Sequence, residues 1–513
     1  MSEINDAINS ASSGAREVVA SNAEGIAATL VDKTAELSSS LFEMGKEVLF
    51  DHPVVSLMTG VAIALTTAFL YYNREIPMPS ISGAESKISQ TLQQDVEGSY
   101  ELAKGYAEGY VQGLLRSSQF KAAVGKSTIN PKFADHLVTK IFNVCGRNIS
   151  SEAKQQIIGN IVRDAMSSME NANRRINTCI QSGELEPFGI GRDVAVESVE
   201  PLGDESHHEG KIPLLIKFKG GKQIVYKPRS MLPERVLCGR GNSLFQEAGL
   251  GTYHVVCGQD GQGAFGFAEY LENRQSENTV QSKEELEAYL QRLCLLDKVG
   301  TLVGLSDLHY LNIITQGLEP YVIDGEVYLM PQGIPTGVMR PGDGPASAFD
   351  LSCGSDEKFK GKNKIWFHPK MKVGNTFKHM MSPEFLQSEV GVNLDKIHSE
   401  TKVPPAAFER AKTAREELQT ENSRIVLATT KDLNDIILGI DPLEPNTANE
   451  MIKLIQSEVE MKDFIFVESS VPLIREQILR DASHNDVPAF YLNHQRGEIL
   501  YNGVVIGRRK TNK

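Results

Sequence analysis

The chain has 513 residues, more than one ordinary domain needs, which predicts roughly two to four structural units. Hydrophobic residues make up 41% and charged residues 23% of the chain, values typical of a globular protein that exclude a disordered or collagen-like one. A formal net charge of −13 argues against a general nucleic-acid binder, and six cysteines without a C-x-x-C pair exclude a disulfide scaffold and indicate a reducing compartment.

The N-terminal part contains a long uncharged run. Residues 1–53 are rich in Ala, Ser and Glu, which predicts a helical or disordered segment. The run from Val54 to Tyr72 contains no charged residue and has nearly the length of a membrane-spanning helix, about 20 residues. Tyr71 and Tyr72 close it, as aromatic residues do at a membrane interface. We therefore predict a transmembrane helix over 54–72, with a buried hydrophobic helix as the alternative.

The sequence pattern changes twice along the rest of the chain. Apolar residues at three- and four-residue steps predict a helical region over 73–190. The segment IPLLIKFKGGKQIVYKP (212–228) then predicts a β-hairpin around a Gly-Gly turn, and another strand is expected at 321–323. We expect a helix over 283–303 and a mostly helical chain after Pro331.

Two motifs contain residues suited to phosphoryl transfer. Lys227 lies in QIVYKPR, directly after the hairpin turn, and a lysine on a strand can neutralise nucleotide phosphates. The segment SDLHYLN supplies Asp307, His309 and Asn312. An aspartate in such a loop can orient or deprotonate an attacking hydroxyl, and the D-x-x-x-x-N spacing is that of kinase catalytic loops.

A third motif, VIDGE, supplies Asp324 and Glu326 after an apolar run. A carboxylate at a strand end can bind the Mg²⁺ that bridges nucleotide phosphates. Each motif alone is weak, because a strand lysine or a turn aspartate is structural in most proteins. In this order, however, the three motifs predict a phosphotransferase that uses ATP and Mg²⁺. The sequence has no G-x-x-x-x-G-K-[ST] motif, which argues against a Walker-type ATPase.

These motifs, together with RIVLATT (424–430) and NDVPAFY (485–491), resemble the dehydratase domain of type 2 lanthipeptide synthetases, the LanM family. The resemblance spans about Asp204 to Phe490. It implies an α+β, atypical lipid- or protein-kinase-like fold with a two-lobed catalytic core and helical additions. The lobes would cover about 191–275 and 276–513. It also implies phosphorylation of peptide Ser and Thr with ATP and Mg²⁺, followed by phosphate elimination to dehydroamino acids.

The resemblance further implies roles for single residues in phosphorylation. Lys227 and Arg229 would hold the nucleotide phosphates, and Asp307 would act as the base on the substrate hydroxyl. His309 would support transfer, and Asn312, Asp324 and Glu326 would serve the metal. His207 would lie in a phosphate-covering loop, with an exposed loop histidine as the alternative. Glu247 is predicted to be an exposed helical glutamate, with a kinase-type partner of Lys227 as the alternative.

Elimination is less well supported by the resemblance than phosphorylation. Arg424 and Thr430 keep the spacing of the family's R-x-x-x-R-P-T run, and elimination needs a cation on the departing phosphate. The departures from the family pattern are Ala428, Thr429, Glu205 and Leu311. Phosphorylation is therefore the better supported step.

Two other functions stay open: a small-molecule kinase of aminoglycoside- or choline-kinase type, and a membrane-tethered nucleotide-binding scaffold. The expected partners are a peptide or protein containing Ser or Thr, and the membrane through one helix; no nucleic acid and no zinc are expected. Cys353 is the last cysteine, so the zinc cyclase of the full synthetases is not expected. Because an ATP-consuming domain belongs in the cytosol, residues 80–513 are expected to face it from a single-pass anchor.

Overall fold

The computed structural model describes the following residues: 103–115, 128–129, 131–203, 206–272, 279–308, 312–331, 334–339, 370–373, 376–379 and 386–510. From Tyr106 onward they belong to one compact unit. Two adjacent helices lie near its beginning, α1 (Pro131–Cys145) and α2 (Ser151–Ser182). The Ser150 hydroxyl caps α2 by accepting from Ala153 N, and Gly183 ends it with a left-handed φ of 82°.

The predicted transmembrane helix over 54–72 lies outside the described residues. Among the helices that are described, none is both long and apolar enough to cross a membrane. The predicted fold with a membrane-spanning helix, and the single-pass, cytosol-facing localisation that rested on it, are therefore not kept, because no described helix supports them. The hydroxyl groups of Ser56, Thr59, Thr66 and Thr67 make the run a weak membrane segment in physical terms.

A six-stranded sheet, counted over the described residues, forms the first β-layer. Its strands are β1 (Thr128–Ile129), β2 (Val196–Pro201), β3 (Leu214–Phe218), β4 (Gln223–Lys227), β5 (Val255–Asp260) and β6 (Gly263–Glu269). The order is β1-β2-β3-β4-β6-β5, with only the β1–β2 pair parallel. The predicted hairpin is confirmed: β3 and β4 pair antiparallel around Gly220 and Gly221, whose φ angles of 96° and 84° favour glycine. Lys227 is the last residue of β4.

Helices pack behind this sheet into a first hydrophobic core. They are α3 (Leu232–Cys238), α4 (Leu244–Ala248), α5 (Lys283–Leu302), α6 (Leu394–Glu400) and α7 (Pro405–Leu418). The expectation of a helix over 283–303 is confirmed by α5. The hairpin of β8 (Ile313–Gln316) and β9 (Glu319–Val322) joins the same core, and β9 confirms the strand expected at 321–323. Three further strands pair as a small sheet: β7 (Thr279–Val280), β10 (Lys370–Val373) and β11 (Thr376–His379).

The C-terminal region contains a second sheet, which is antiparallel throughout and has the order β12-β14-β15-β16-β13. Its strands are β12 (Ser423–Ile425), β13 (Phe464–Phe466), β14 (Phe490–Asn493), β15 (Glu498–Tyr501) and β16 (Val504–Arg509). Three helices complete a second core: α8 (Thr430–Ile437), α9 (Asn449–Met461) and α10 (Val471–His484). Short 3-10 or π turns occur at Glu186–Phe188, Leu386–Val390, Pro445–Ala448 and Glu468–Ser470.

This second sheet corrects two expectations. In the described residues after Pro331, helices are combined with a five-stranded sheet that the expectation of a mostly helical chain did not include. Its strands were missed because they are only three to six residues long, too short to give a clear alternating pattern. The predicted fold class, an α+β kinase-like two-lobed core with a transmembrane helix, is replaced by a mixed α/β fold in which the six-stranded and the five-stranded sheet pack with different sets of helices.

Candidate functional site

The acidic motif lies on a segment that runs between the two cores. Directly after β9, Val327 and Met330 pack into the second core, whereas Tyr328 and Leu329 pack into the first. Because side chains of this segment are buried in both cores, its backbone is firmly held. Asp324 and Glu326 lie at its beginning, where side chains from both parts of the fold reach them.

Lys227 reaches this segment from the end of β4. Its Nζ lies 2.9 Å from Asp324 Oδ1, 2.9 Å from the Ile323 carbonyl and 3.3 Å from Glu234 Oε1. An ammonium group has three protons to donate, so these acceptors satisfy it. Lys227 is 8% exposed, and a lysine is rarely so buried without such partners.

Arg229, two residues further on, binds the same carboxylates. Its guanidinium lies 2.5 Å from Glu234 Oε1 and 2.5 Å from Asp324 Oδ1, and its Nε lies 3.2 Å from Glu326 Oε2. Burial alone would lower the pKa of Arg229, but the three carboxylates raise it well above its ordinary value. The guanidinium is therefore held in its charged form between the acidic residues.

Glu234 is the site residue that sequence reasoning missed. It lies in the first turn of α3, is 0% exposed and bridges Lys227 and Arg229. The alternative role of Glu247 as a partner of Lys227 is wrong, because the glutamate that contacts the lysine comes from α3 and not from α4. A usable signal was present: Leu232–Pro233–Glu234 directly after a strand indicates a helix start that places the glutamate beside the strand end.

The cations of this cluster hold Asp324 and Glu234 ionised. Burial alone would raise the pKa of Asp324, but Lys227 and Arg229 outweigh it and hold that pKa below its usual value. Burial would also raise the pKa of Glu234, but Arg229, and after it Lys227, lower that pKa below its usual value. Since opposite charges a few ångströms apart favour the charged forms, the cluster is a set of fixed charges.

Asp307 occupies a strained position in the neighbouring loop. Its φ of 61° is left-handed, which is uncommon for a residue other than glycine and tends to occur at functional sites. The loop is fixed on both sides, since Ser306 N donates to Val327 O and Leu308 N donates to Thr336 O, each at 2.9 Å. Asn312 Nδ2 donates to Asp307 O at 2.8 Å.

Asn312 also connects this loop to the acidic motif, because its carbonyl accepts from Ile323 N at 2.9 Å. The side chain of Asn312 thus holds Asp307, while its backbone holds the residue before Asp324. His309, predicted to support transfer, lies outside the described residues.

Arg424 approaches the acidic motif from the second sheet. Its Nη1 lies 3.2 Å from Glu326 Oε1, and its backbone N donates to Glu326 O at 3.0 Å. Its two terminal nitrogens lie 3.4 and 3.3 Å from His207 Nε2. The structure therefore brings Arg424 and His207 beside Glu326. Thr430 opens α8 behind the Thr429 cap, and no hydrogen bond in the described ranges ties its side chain to the cluster.

The ring of His207 has a defined tautomer. Its Nδ1 lies 2.6 Å from the Val487 carbonyl, and a carbonyl can only accept, so Nδ1 carries the proton. Nε2 then accepts from Arg424. Burial, followed by the charge of Arg424, lowers the pKa of His207 to about 3. His207 is a neutral acceptor at any physiological pH, not the exposed loop histidine of the alternative interpretation.

The donor set suits Mg²⁺ that is shared with nucleotide phosphates. Mg²⁺ binds through one or two carboxylates plus phosphate oxygens, and Asp324 and Glu326 offer two carboxylates that are 34% and 22% exposed. A cation would contact Asn312 through Oδ1, because its Nδ2 is used by Asp307. Over the ranges the structure describes, no group of three or more His, Cys, Asp or Glu residues is arranged to hold a metal.

A comparison with known protein families finds a partial match. Residues 153–356 match DUF4135, a domain of unknown function that occurs in lanthipeptide synthetase-like proteins. The matched span includes Lys227, Asp307 and Asp324, but not Arg424. No curated protein matches the chain at a significant level.

Proposed function

We propose that this chain transfers the γ-phosphoryl group of ATP to Ser or Thr hydroxyls of a peptide or protein, as the dehydratase domain of LanM-type synthetases does. The observation that carries the proposal is the contact of Lys227 with Asp324 at 2.9 Å, beside a loop in which Asn312 holds Asp307. The DUF4135 match over 153–356 supports the same assignment, because it covers all three motifs.

Each residue of the site has a separate role in the proposed reaction. Asp307 accepts the proton of the substrate hydroxyl, whose oxygen forms a bond to the γ-phosphorus while the bond to the bridging oxygen breaks and ADP leaves. Lys227 and Arg229 neutralise the charge that develops on the phosphates. Glu234 contacts both cations and keeps them oriented.

Asp324 and Glu326, with Asn312, would hold Mg²⁺. When bound, the ion neutralises the phosphate oxygens and supplies no covalent chemistry. Arg229 contacts both carboxylates, so occupation of this site requires Arg229 to turn from the carboxylates towards the phosphates. The exposure of Asp324 and Glu326 leaves a side from which the nucleotide can enter.

Phosphate elimination is the finer part of the proposal. Arg424 would bind the departing phosphate, since a guanidinium is well matched to a phosphate monoester. It lies next to Glu326 and so at the edge of the phosphorylation site. Its partner His207 is neutral, so the histidine does not compete with a phosphate for the charge of the guanidinium.

Mass spectrometry of products tests the proposal. The full chain is incubated with Mg-ATP and, separately, a library of Ser- and Thr-containing peptides and a panel of aminoglycosides and choline. We expect phosphorylated or dehydrated peptides. Phosphorylated metabolites without peptide products would establish a small-molecule kinase instead. No product despite thermal stabilisation by millimolar Mg-ATP would indicate a nucleotide-binding scaffold, and no product without stabilisation would indicate a scaffold that does not bind nucleotide.

A further inference from the structure

The loop that carries His207 has an unusual backbone. His208, Glu209 and Gly210 have successive φ angles of 50°, 66° and 73°. Non-glycine residues in such conformations are strained and persist only where their surroundings fix them. Gly210 is required here, because a Cβ at that position would lie 2.5 Å from the Asp164 side chain. Contacts with the rest of the protein must therefore stabilise this loop conformation.

Asp486, in the NDVPAFY segment, stabilises the loop by accepting hydrogen bonds from it. The residue is 1% exposed, and its carboxylate accepts from Ser206 Oγ at 2.5 Å, Glu209 N at 2.6 Å and Gly210 N at 3.0 Å. Backbone N–H groups of successive left-handed residues form an anion-binding concavity, and here the anion is a side chain of the same protein. Lys140 also donates to Ser206 from α1.

The next residue, Val487, orients the histidine ring itself. Val487 N donates to Ser206 O at 2.9 Å, and Val487 O accepts from His207 Nδ1 at 2.6 Å. The protonated Nδ1 is therefore turned away from the site. Nε2 is left as an acceptor facing Arg424 at 3.3 Å.

We propose that the Asp486–Val487 turn is a positioning device that fixes the tautomer and direction of His207 and, through it, the guanidinium of Arg424. Asp486 touches no reacting group and acts through the loop. The guanidinium held in this way would bind a phosphate monoester, the phosphoserine or phosphothreonine intermediate. The inference rests on the proposed function for that ligand, but its structural part stands on the contacts of the loop alone.

Nitrogen NMR of the full chain tests the structural part without any activity. Long-range proton–nitrogen spectra of ¹⁵N-histidine protein are recorded, and the His207 signals are assigned by their loss in His207→Gln. We expect a protonated Nδ1 in the wild type. Asp486→Asn places an amide donor against the loop N–H groups, so His207 should become a mixture of tautomers. Ser206→Ala, a milder change, should shift it in the same direction and serves if Asp486→Asn does not fold.

Asp441→Asn is the matched control. Asp441 is 5% exposed and also accepts from backbone N–H groups, of Ser150 and Leu443, but not from the His207 loop. Its variant should leave the His207 signals unchanged. A protonated Nε2 in the wild type, or an unchanged tautomer in both Asp486→Asn and Ser206→Ala, would overturn the proposal.

Release of phosphate from a synthetic phosphoserine peptide tests the functional part. Asp486→Asn should lower kcat for release by roughly 10–100-fold with little change in KM, while ATP-dependent phosphorylation of the unmodified peptide continues. An unchanged kcat would refute the positioning role. A wild type that releases no phosphate would refute the proposed elimination, and the NMR spectra would still decide whether the turn fixes His207.

Discussion

Lys227 and Asp324 are in direct contact, with 2.9 Å between Nζ and Oδ1, although they lie 97 positions apart in the chain. The contact joins the last residue of β4 to the segment that runs between the two hydrophobic cores. Glu234 touches the same ammonium group from α3. Two of the motifs found separately in the sequence therefore form one site, and its charges are arranged before any ligand binds.

The charge balance of this site predicts the effect of removing the lysine. Lys227→Met leaves Glu234, which is 0% exposed, with Arg229 as its remaining cation. We expect a loss of about 3 kcal/mol in the free energy of unfolding, the lower end of the range for a broken buried pair, together with loss of phosphate transfer. Urea unfolding measures the first effect and mass spectrometry the second.

The double variant Lys227→Met/Glu234→Gln is the matched control. It also removes the charge of the carboxylate that has lost its lysine, so most of the stability should return while phosphate transfer stays absent. A single variant as stable as the wild type would show that the Lys227–Glu234 contact contributes little to folding.

The position of Arg424 predicts an accumulating intermediate. Arg424→Ala removes the guanidinium beside Glu326 and His207, so a peptide should be phosphorylated but not dehydrated. Intact-mass measurement over time should show the phosphate adduct persist. Lys431→Ala, which removes an 83% exposed cation from the nearby helix α8, is the control and should behave as the wild type. Dehydrated peptide at the wild-type rate from Arg424→Ala would exclude this role.

A buried carboxyl group in the second core predicts a pH dependence of stability. Burial raises the pKa of Asp481 from 3.8 to about 7, against the hydrogen bonds it accepts from Tyr501 at 2.6 Å and Asn502 at 3.4 Å. The folded state thus binds this proton more tightly than the unfolded state. Its contribution to stability is fully present below pH 3.8 and is lost as the pH rises towards 7.

Asp481→Asn should therefore become more stable relative to the wild type as the pH rises from about 5 to 8, because the amide has no charge to desolvate. Urea midpoints across this range measure the difference. Asp463→Asn, at a side chain that is 94% exposed, should show no such trend. A difference between Asp481→Asn and the wild type that does not change with pH would contradict the raised pKa.

Local patterns in the sequence predicted the parts of the fold that local interactions determine. The β3–β4 hairpin follows from alternating residues around Gly220 and Gly221, and α5 follows from its length and its Ser282 cap. The second sheet was missed because its strands are short and pair between distant segments, as Arg424 does with Tyr491. Hydrogen bonds between partners this far apart leave little trace in local periodicity.

The candidate site, too, could be predicted only where short local motifs define it. Lys227, Asp307, Asn312, Asp324 and Glu326 were identified from spacing, because each lies within a short motif. Glu234 was missed because its importance comes from tertiary contact with Lys227 and Arg229. The hold of Asp486 on the His207 loop was missed for the same reason, since 277 positions separate Asp486 from Glu209. A sequence pattern does not contain such contacts.

Measuring phosphate transfer by the Asp307→Asn variant tests the proposed function most directly. Asparagine tolerates the left-handed φ of 61° at this position, so the variant should fold and should be stabilised by Mg-ATP as the wild type is. Asparagine cannot accept the hydroxyl proton, so incorporation of γ-phosphate from labelled ATP into a Ser-containing peptide should fall by about 100-fold or more. Transfer at the wild-type rate by a correctly folded Asp307→Asn would contradict the account.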